Sequence, residues 1–135
     1  GYNMADYFAH WLTIGAKGDA SKLPQIFFVN WFRRDDNGRF LWPGYGENSR
    51  VLKWVFERVG GSAAAVKTPI GYLPADGSLD VNGLDIAKTD LDQLLSVDVD
   101  GWRSAIPQIK DHYAQFGSKL PNRLSSQLDQ LAGAL

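Results

Sequence analysis

Cysteine is absent from the 135 residues. That single absence removes a disulfide framework, a thiol nucleophile and every Cys-based zinc site. Histidine is scarce as well: with His10 and His112 as the only two, a multi-histidine metal centre is excluded. No apolar run approaches the ~20 residues of a membrane-spanning helix, and no charged-then-apolar stretch marks a secretory signal. An excess of one charge is also lacking. Fourteen Lys+Arg against fifteen Asp+Glu leave a formal net charge of -1, which argues against a general nucleic-acid binder. The expectation is a soluble, cytoplasmic domain with neither membrane nor nucleic acid as a partner.

What is present is one domain's worth of chain, with ordinary globular usage: 44% hydrophobic and 21% charged residues. Disorder, collagen and coiled coil do not fit that composition. Aromatics make up 13% of the residues, and seven of them fall between Phe27 and Tyr45. The chain opens at Gly1 directly into a helical pattern, so it is expected to be a piece of a longer polypeptide.

Along the chain, Met4, Tyr7, Phe8, Trp11 and Leu12 follow the i, i+3, i+4, i+7, i+8 spacing of a helix with one buried face. Asn3 is placed to cap it, and Gly15 and Gly18 to end it. The β-branched and aromatic run Ile26–Phe32 reads as a strand covered on both faces. Arg33–Arg39 is a polar turn, with Asn37-Gly38 suited to positive φ, and Phe40-Leu41-Trp42 is a short return strand stopped by Pro43. A glycine-flanked loop, residues 44–49, then opens a helix whose stripe is Val51, Leu52, Val55, Phe56 and Val59, closed by Gly60-Gly61. Residues 62–89 are rich in turns, with short extended pieces expected around Ile70–Leu73 and Leu79–Val81. Two helical stripes finish the chain: Trp102, Ala105, Ile106, Ile109, Tyr113 and Phe116, with Pro107 as a kink or late start, then Leu120, Leu124, Leu128 and Leu131 after Pro121. The class is α/β or α+β: short strands with flanking helices and a helical C-terminus. Residues 1–61 hold the first helix, the aromatic hairpin and the loop-plus-helix, 62–89 the turns, and 90–135 the helical end.

Chemistry concentrates between Phe32 and Asn48. If the hairpin closes, Phe32, Phe40 and Tyr45 converge at one end of the sheet. Flat faces in pairs suit a nucleobase, because stacking contributes ~1–3 kcal/mol per base. Asn48 offers both donor and acceptor, so it could read a base edge or cap the following helix, and Gly44 and Gly46 would let the backbone approach a ligand closely. The plainer alternative is a hydrophobic core flanked by turns.

Other candidates are weaker. Gly44-x-Gly46 before a helix lacks the third glycine and the Lys-Ser/Thr of a phosphate loop. His10 and His112 read as packed or solvated helix residues. Asp76, Asp80 and Asp85 around Asn82-Gly83 miss the spacing and the bidentate Glu of a calcium loop. No catalytic constellation is visible.

The stretch Asn30-Trp31-Phe32-Arg33 through Phe40-Leu41-Trp42-Pro43-Gly44-Tyr45-Gly46-Glu47-Asn48-Ser49-Arg50-Val51-Leu52-x-Trp54 resembles GTP-dependent phosphoenolpyruvate carboxykinase. Gly1-Tyr2-Asn3, Ala9-His10-Trp11-Leu12, Lys22-Leu23-Pro24 and Thr68-Pro69-Ile70-Gly71-Tyr72 extend the resemblance on both sides. It implies the C-terminal part of the carboxykinase nucleotide-binding domain, from an enzyme that interconverts oxaloacetate and GTP with phosphoenolpyruvate, CO2 and GDP using Mn2+ and Mg2+. Guanine-binding roles carry over to Phe32, Phe40, Tyr45, Gly46, Glu47 and Asn48. Phe32 and Tyr45 would sandwich the base, Phe40 would close the back, and Asn48 with nearby backbone would read the edge. The family commonly has Phe where this chain has Tyr45, and a tyrosine keeps the stacking face. The phosphate loop, the metal ligands, the substrate-binding arginines and the mobile lid have no counterpart in these residues. Catalytic and metal-binding residues are therefore expected elsewhere, in the remainder of a monomeric parent enzyme, and this piece alone is expected to be inactive. Two rivals stand beside that reading: a stand-alone nucleotide- or RNA-binding module using Arg33, Arg34 and Arg39, and a purely structural domain.

Overall fold

The computed structural model describes all 135 residues. They divide into two compact units, one formed by Gly1–Pro24 with Asp98–Leu135, the other by Gln25–Val97.

The first unit is helical. Helix α1 (Met4–Lys17) begins where the Asn3 side chain accepts a hydrogen bond from the Ala5 N–H at 2.8 Å. It runs through Gly15 and stops at Gly18. Helix α4 (Val99–Ala114) is capped by Asp98, whose carboxylate accepts from the Gly101 N–H at 2.9 Å, and it continues through Pro107 without restarting. Helix α5 (Asn122–Ala134) follows Pro121 and buries Leu128, with Leu120, Leu124 and Leu131 half-buried on the same side, as their spacing dictates. An edge-to-face pair, Phe8 on Phe116 at 5.7 Å, and a Lys119–Asp6 ion pair at 2.9 Å tie α1 to the turn between α4 and α5. The α1 stripe differs from expectation. Phe8 and Leu12 are half-buried, whereas Met4, Tyr7 and Trp11 stay exposed. Periodicity gathers apolar side chains on one side of a helix; burial also requires a surface opposite them.

The second unit holds an aromatic core. Trp42, Trp54, Ala63 and Leu79 are buried together, with Phe27, Trp31, Val51 and Val55 among the half-buried side chains packed on them. Helix α2 (Asn48–Val59) supplies Trp54 from its inner face and ends at Gly60. Strands β1 (Ala65–Thr68) and β2 (Gly71–Pro74) pair antiparallel, from Ala65 opposite Pro74 to Thr68 opposite Gly71. Helix α3 (Lys88–Leu94) closes the unit. The mixed helix and strand content agrees with the class read from the sequence.

Three expectations are corrected here. The run Ile26–Phe32 is not a strand: residues 24–30 have no regular secondary structure and no ladder partner, and Ile26 and Phe28 are 90% and 96% exposed. Only its alternate residues, Phe27, Val29 and Trp31, turn inward. The return strand shrinks to a single bridge between Arg34 and Phe40. Leu79–Val81 forms no strand, and Leu79 enters the core from irregular backbone. β-propensity marks side chains that suit a pleated, half-buried surface, while a strand also needs a neighbouring strand to pair with.

Candidate nucleotide-base site

The site is built on the loop between Asn30 and α2. Asn30 starts it, its side-chain oxygen accepting from the Phe32 N–H at 3.0 Å. The hairpin closes through two backbone bonds, Asp35 N–H to the Arg39 carbonyl at 2.9 Å and Leu41 N–H to the Arg33 carbonyl at 3.0 Å. Its tip is an Asp-centred turn: one Asp35 carboxylate oxygen accepts from the N–H groups of Asn37 and Arg39, and Gly38 takes φ +81°.

Ion pairs anchor this hairpin within its unit. The Arg39 guanidinium lies along both oxygens of Asp90 on α3 at 2.8 and 2.9 Å and also reaches Asp35 at 3.1 Å. The Arg39 hydrogen bond holds the Asp90 carboxyl below the usual carboxylate range, and the same contact raises Arg39. Arg33 donates to the carbonyls of Leu94 and Ser96, both at 3.3 Å. Arg34 lies 4.1 Å from the centre of the Phe40 ring and donates to the Gly38 carbonyl.

The sequence singles out six residues, and the structure treats them differently. Phe32 and Phe40 meet, ring centres 6.3 Å apart with planes at 62°. Phe32 is 72% exposed, and Phe40 keeps an exposed face although Arg34 covers part of it. Tyr45 is 93% exposed and makes no ring pair with either. Gly44, at φ +116°, adopts backbone that a side chain would strain, and it opens a 3-10 turn over Tyr45–Glu47 that leads into α2. Gly46 lies inside that turn at ordinary φ. The turn consumes two N–H groups: Glu47 donates to the Gly44 carbonyl at 3.1 Å and Asn48 to that of Tyr45. Glu47 turns one carboxylate oxygen to Arg50 at 2.5 Å.

Asn48 does not cap α2 with its side chain. Its Oδ1 accepts from the Trp42 indole N–H at 3.0 Å. The sequence places Trp42 in a short strand and in the resemblance motif without a role at the site; the signal for one is an obligate donor six residues before an amide. The arrangement as a whole offers exposed aromatic faces, a tight glycine turn and one amide with a spare NH2 group, which suits a flat heterocycle with a polar edge. No three His, Cys, Asp or Glu side chains gather to hold a metal ion.

A family model described as the phosphoenolpyruvate carboxykinase C-terminal P-loop domain, GTP type, matches residues 1–134. The chain belongs to the GTP-dependent phosphoenolpyruvate carboxykinase family. Among curated relatives named phosphoenolpyruvate carboxykinase [GTP], that of Neocallimastix frontalis is 56% identical over 132 residues, covering 97% of this chain and 22% of the relative. The Treponema pallidum protein is 50% identical over the same length and is covered to 21%. The Chlamydia muridarum protein is 46% identical over 136 residues. The chain thus spans about a fifth of the length of the curated carboxykinases it matches. No helix is long and apolar enough to cross a membrane.

Proposed function

We propose that this chain carries the guanine-binding part of the nucleotide site of a GTP-dependent phosphoenolpyruvate carboxykinase. The enzyme would interconvert oxaloacetate and GTP with phosphoenolpyruvate, GDP and CO2. The observation that supports this most directly is the pairing of exposed Phe32 and Phe40 beside the Gly44–Asn48 turn, in a chain of that family. Phe32 and Tyr45 would take the two faces of the base, Phe40 its back edge, and Asn48 with the backbone around Gly46 and Glu47 its polar edge. A buried polar edge left without its partners costs about 1–3 kcal/mol per group, which is how such a pocket separates guanine from adenine.

Phosphoryl transfer needs cationic groups and metals around the γ-phosphate. The residues present form no metal cage, so none is given a metal-binding role. Mn2+ and Mg2+ are proposed for the parent enzyme, where they would neutralise developing phosphate charge. The parent is proposed to be a cytoplasmic monomer, with this chain as its C-terminal portion. A separate RNA-binding role is disfavoured by the arginines it would need. Arg33 is spent on two backbone carbonyls and Arg39 on two carboxylates.

The decisive measurement is nucleotide competition in the full-length enzyme. GDP is expected to bind well ahead of ADP, and Tyr45→Ala and Phe32→Ala to weaken GDP binding; equal affinity for GDP and ADP sinks the assignment. The isolated chain is expected to form no phosphoenolpyruvate from oxaloacetate and GTP at any manganese concentration, and turnover by a preparation free of longer polypeptide refutes that.

A further inference from the structure

Trp42 is 5% exposed and packed in the core with Trp54, and its indole N–H donates to Asn48. An indole nitrogen can donate and cannot accept. The atom of Asn48 that faces it at 3.0 Å must therefore be the carbonyl oxygen, and the orientation of this amide is settled by chemistry. With Oδ1 held inward, the half-exposed Asn48 presents its NH2 group outward, at the start of α2 beside the Tyr45–Glu47 turn.

We propose that Trp42 determines base choice by locking Asn48 as a hydrogen-bond donor toward the nucleobase. This rests on the guanine-site reading above and extends it to a residue that touches no ligand. The logic lies in the 6-position of a purine. Guanine presents a carbonyl oxygen there, which accepts from an NH2 group; adenine presents an amino group, which cannot. An amide free to flip would satisfy either base, and so would discriminate little. A locked amide confronts adenine with donor against donor, leaving both polar groups unpaired. Trp42 is thus a positioning residue, acting through Asn48.

The test uses the full-length enzyme and competition among GDP, ADP and IDP for the nucleotide site. Trp42→Phe keeps an aromatic ring at this core position but removes the pyrrole portion of the indole, and with it the N–H. It is expected to lower the GDP-over-ADP preference roughly tenfold, the scale of one lost buried partner. The GDP-to-IDP ratio should stay where it was, because both bases carry the 6-carbonyl. A preference for GDP over ADP that survives within about twofold overturns the proposal. Asn48→Asp provides a second arm that does not depend on how Trp42→Phe folds. A carboxylate still accepts from the indole but offers the base no donor, so GDP preference must fall. If Asn48→Asp keeps or tightens GDP preference, Asn48 was presenting an acceptor and the proposal fails. Asn48→Ala separates this from the underlying reading: an unchanged GDP-to-ADP ratio in that variant shows that Asn48 does not read the base and overturns the proposal, whereas the base-site reading falls only if the unaltered enzyme binds GDP and ADP equally.

Discussion

Two groups of aromatic residues alternate within thirty positions of one another and end in opposite environments. Trp42 and Trp54 are buried, with Phe27 set edge-on against Trp54 at 6.2 Å. Phe32, Phe40 and Tyr45 stand in solvent. All six rings carry large apolar faces, so transfer free energy alone favours burying each of them. The difference lies in the backbone that carries them. Trp54 sits on the inner face of a regular helix, and Trp42 follows the hairpin closure directly into the core. Phe32 follows an Asn30 turn, Phe40 precedes the buried pair Leu41-Trp42, and Tyr45 occupies a turn between two glycines that give it no flanking side chain to pack on. The first group holds the unit together, and the second is available to a ligand.

That division can be broken by substitution. The largest effect is expected at Trp54, buried and donating to the Ser78 hydroxyl at 3.1 Å. Trp54→Ala should cost roughly 3–5 kcal/mol of stability in urea unfolding, as large buried rings do. Tyr45→Ala should move the other observable. Guanine nucleotide binding is expected to weaken by roughly 1–3 kcal/mol, the stacking scale, while the melting temperature without nucleotide barely changes. A Tyr45→Ala variant that melts as early as Trp54→Ala would place the ring in the core and end its stacking role.

Phe27 sharpens the comparison from between. It is half-buried on unpaired backbone, so Phe27→Ala is expected to cost about 1–2 kcal/mol, from partial burial and one edge-to-face contact. Nucleotide affinity should not follow it.

The smallest effect concerns the Arg39 anchor, an exposed pair in which salt and water screen most of the attraction. Asp90 has its folded pKa lowered by the Arg39 hydrogen bond. Its contribution is therefore present above the unfolded carboxylate value of about 4 and is lost as pH falls through the lower folded value. From pH 7 to about 5 the hairpin should hold unchanged, and below about 4 it should loosen. Asp90→Asn should flatten that acid dependence, measured as amide exchange protection at Asp35 and Leu41.

Much of this was legible in order of residues alone. The helices at Met4, Asn48 and Asn122 follow from apolar spacing, the Asn3 cap and the flanking glycines and prolines, because a helix is a local object closed by bonds four residues apart. The aromatic and glycine-rich stretch from Phe32 to Asn48 carried the family resemblance for the same reason, being contiguous. What tertiary structure alone decided is which partner each side chain found. The Ile26–Phe32 run had strand composition but no neighbouring strand, and the α1 stripe had helical spacing but little opposite it. Arg39 reaches Asp90 across 51 positions, and the Trp42 N–H fixes the Asn48 amide across a turn. Burial, ion pairing and hydrogen-bond direction depend on distances that the chain sets only when it closes on itself, and local pattern has no means of encoding them.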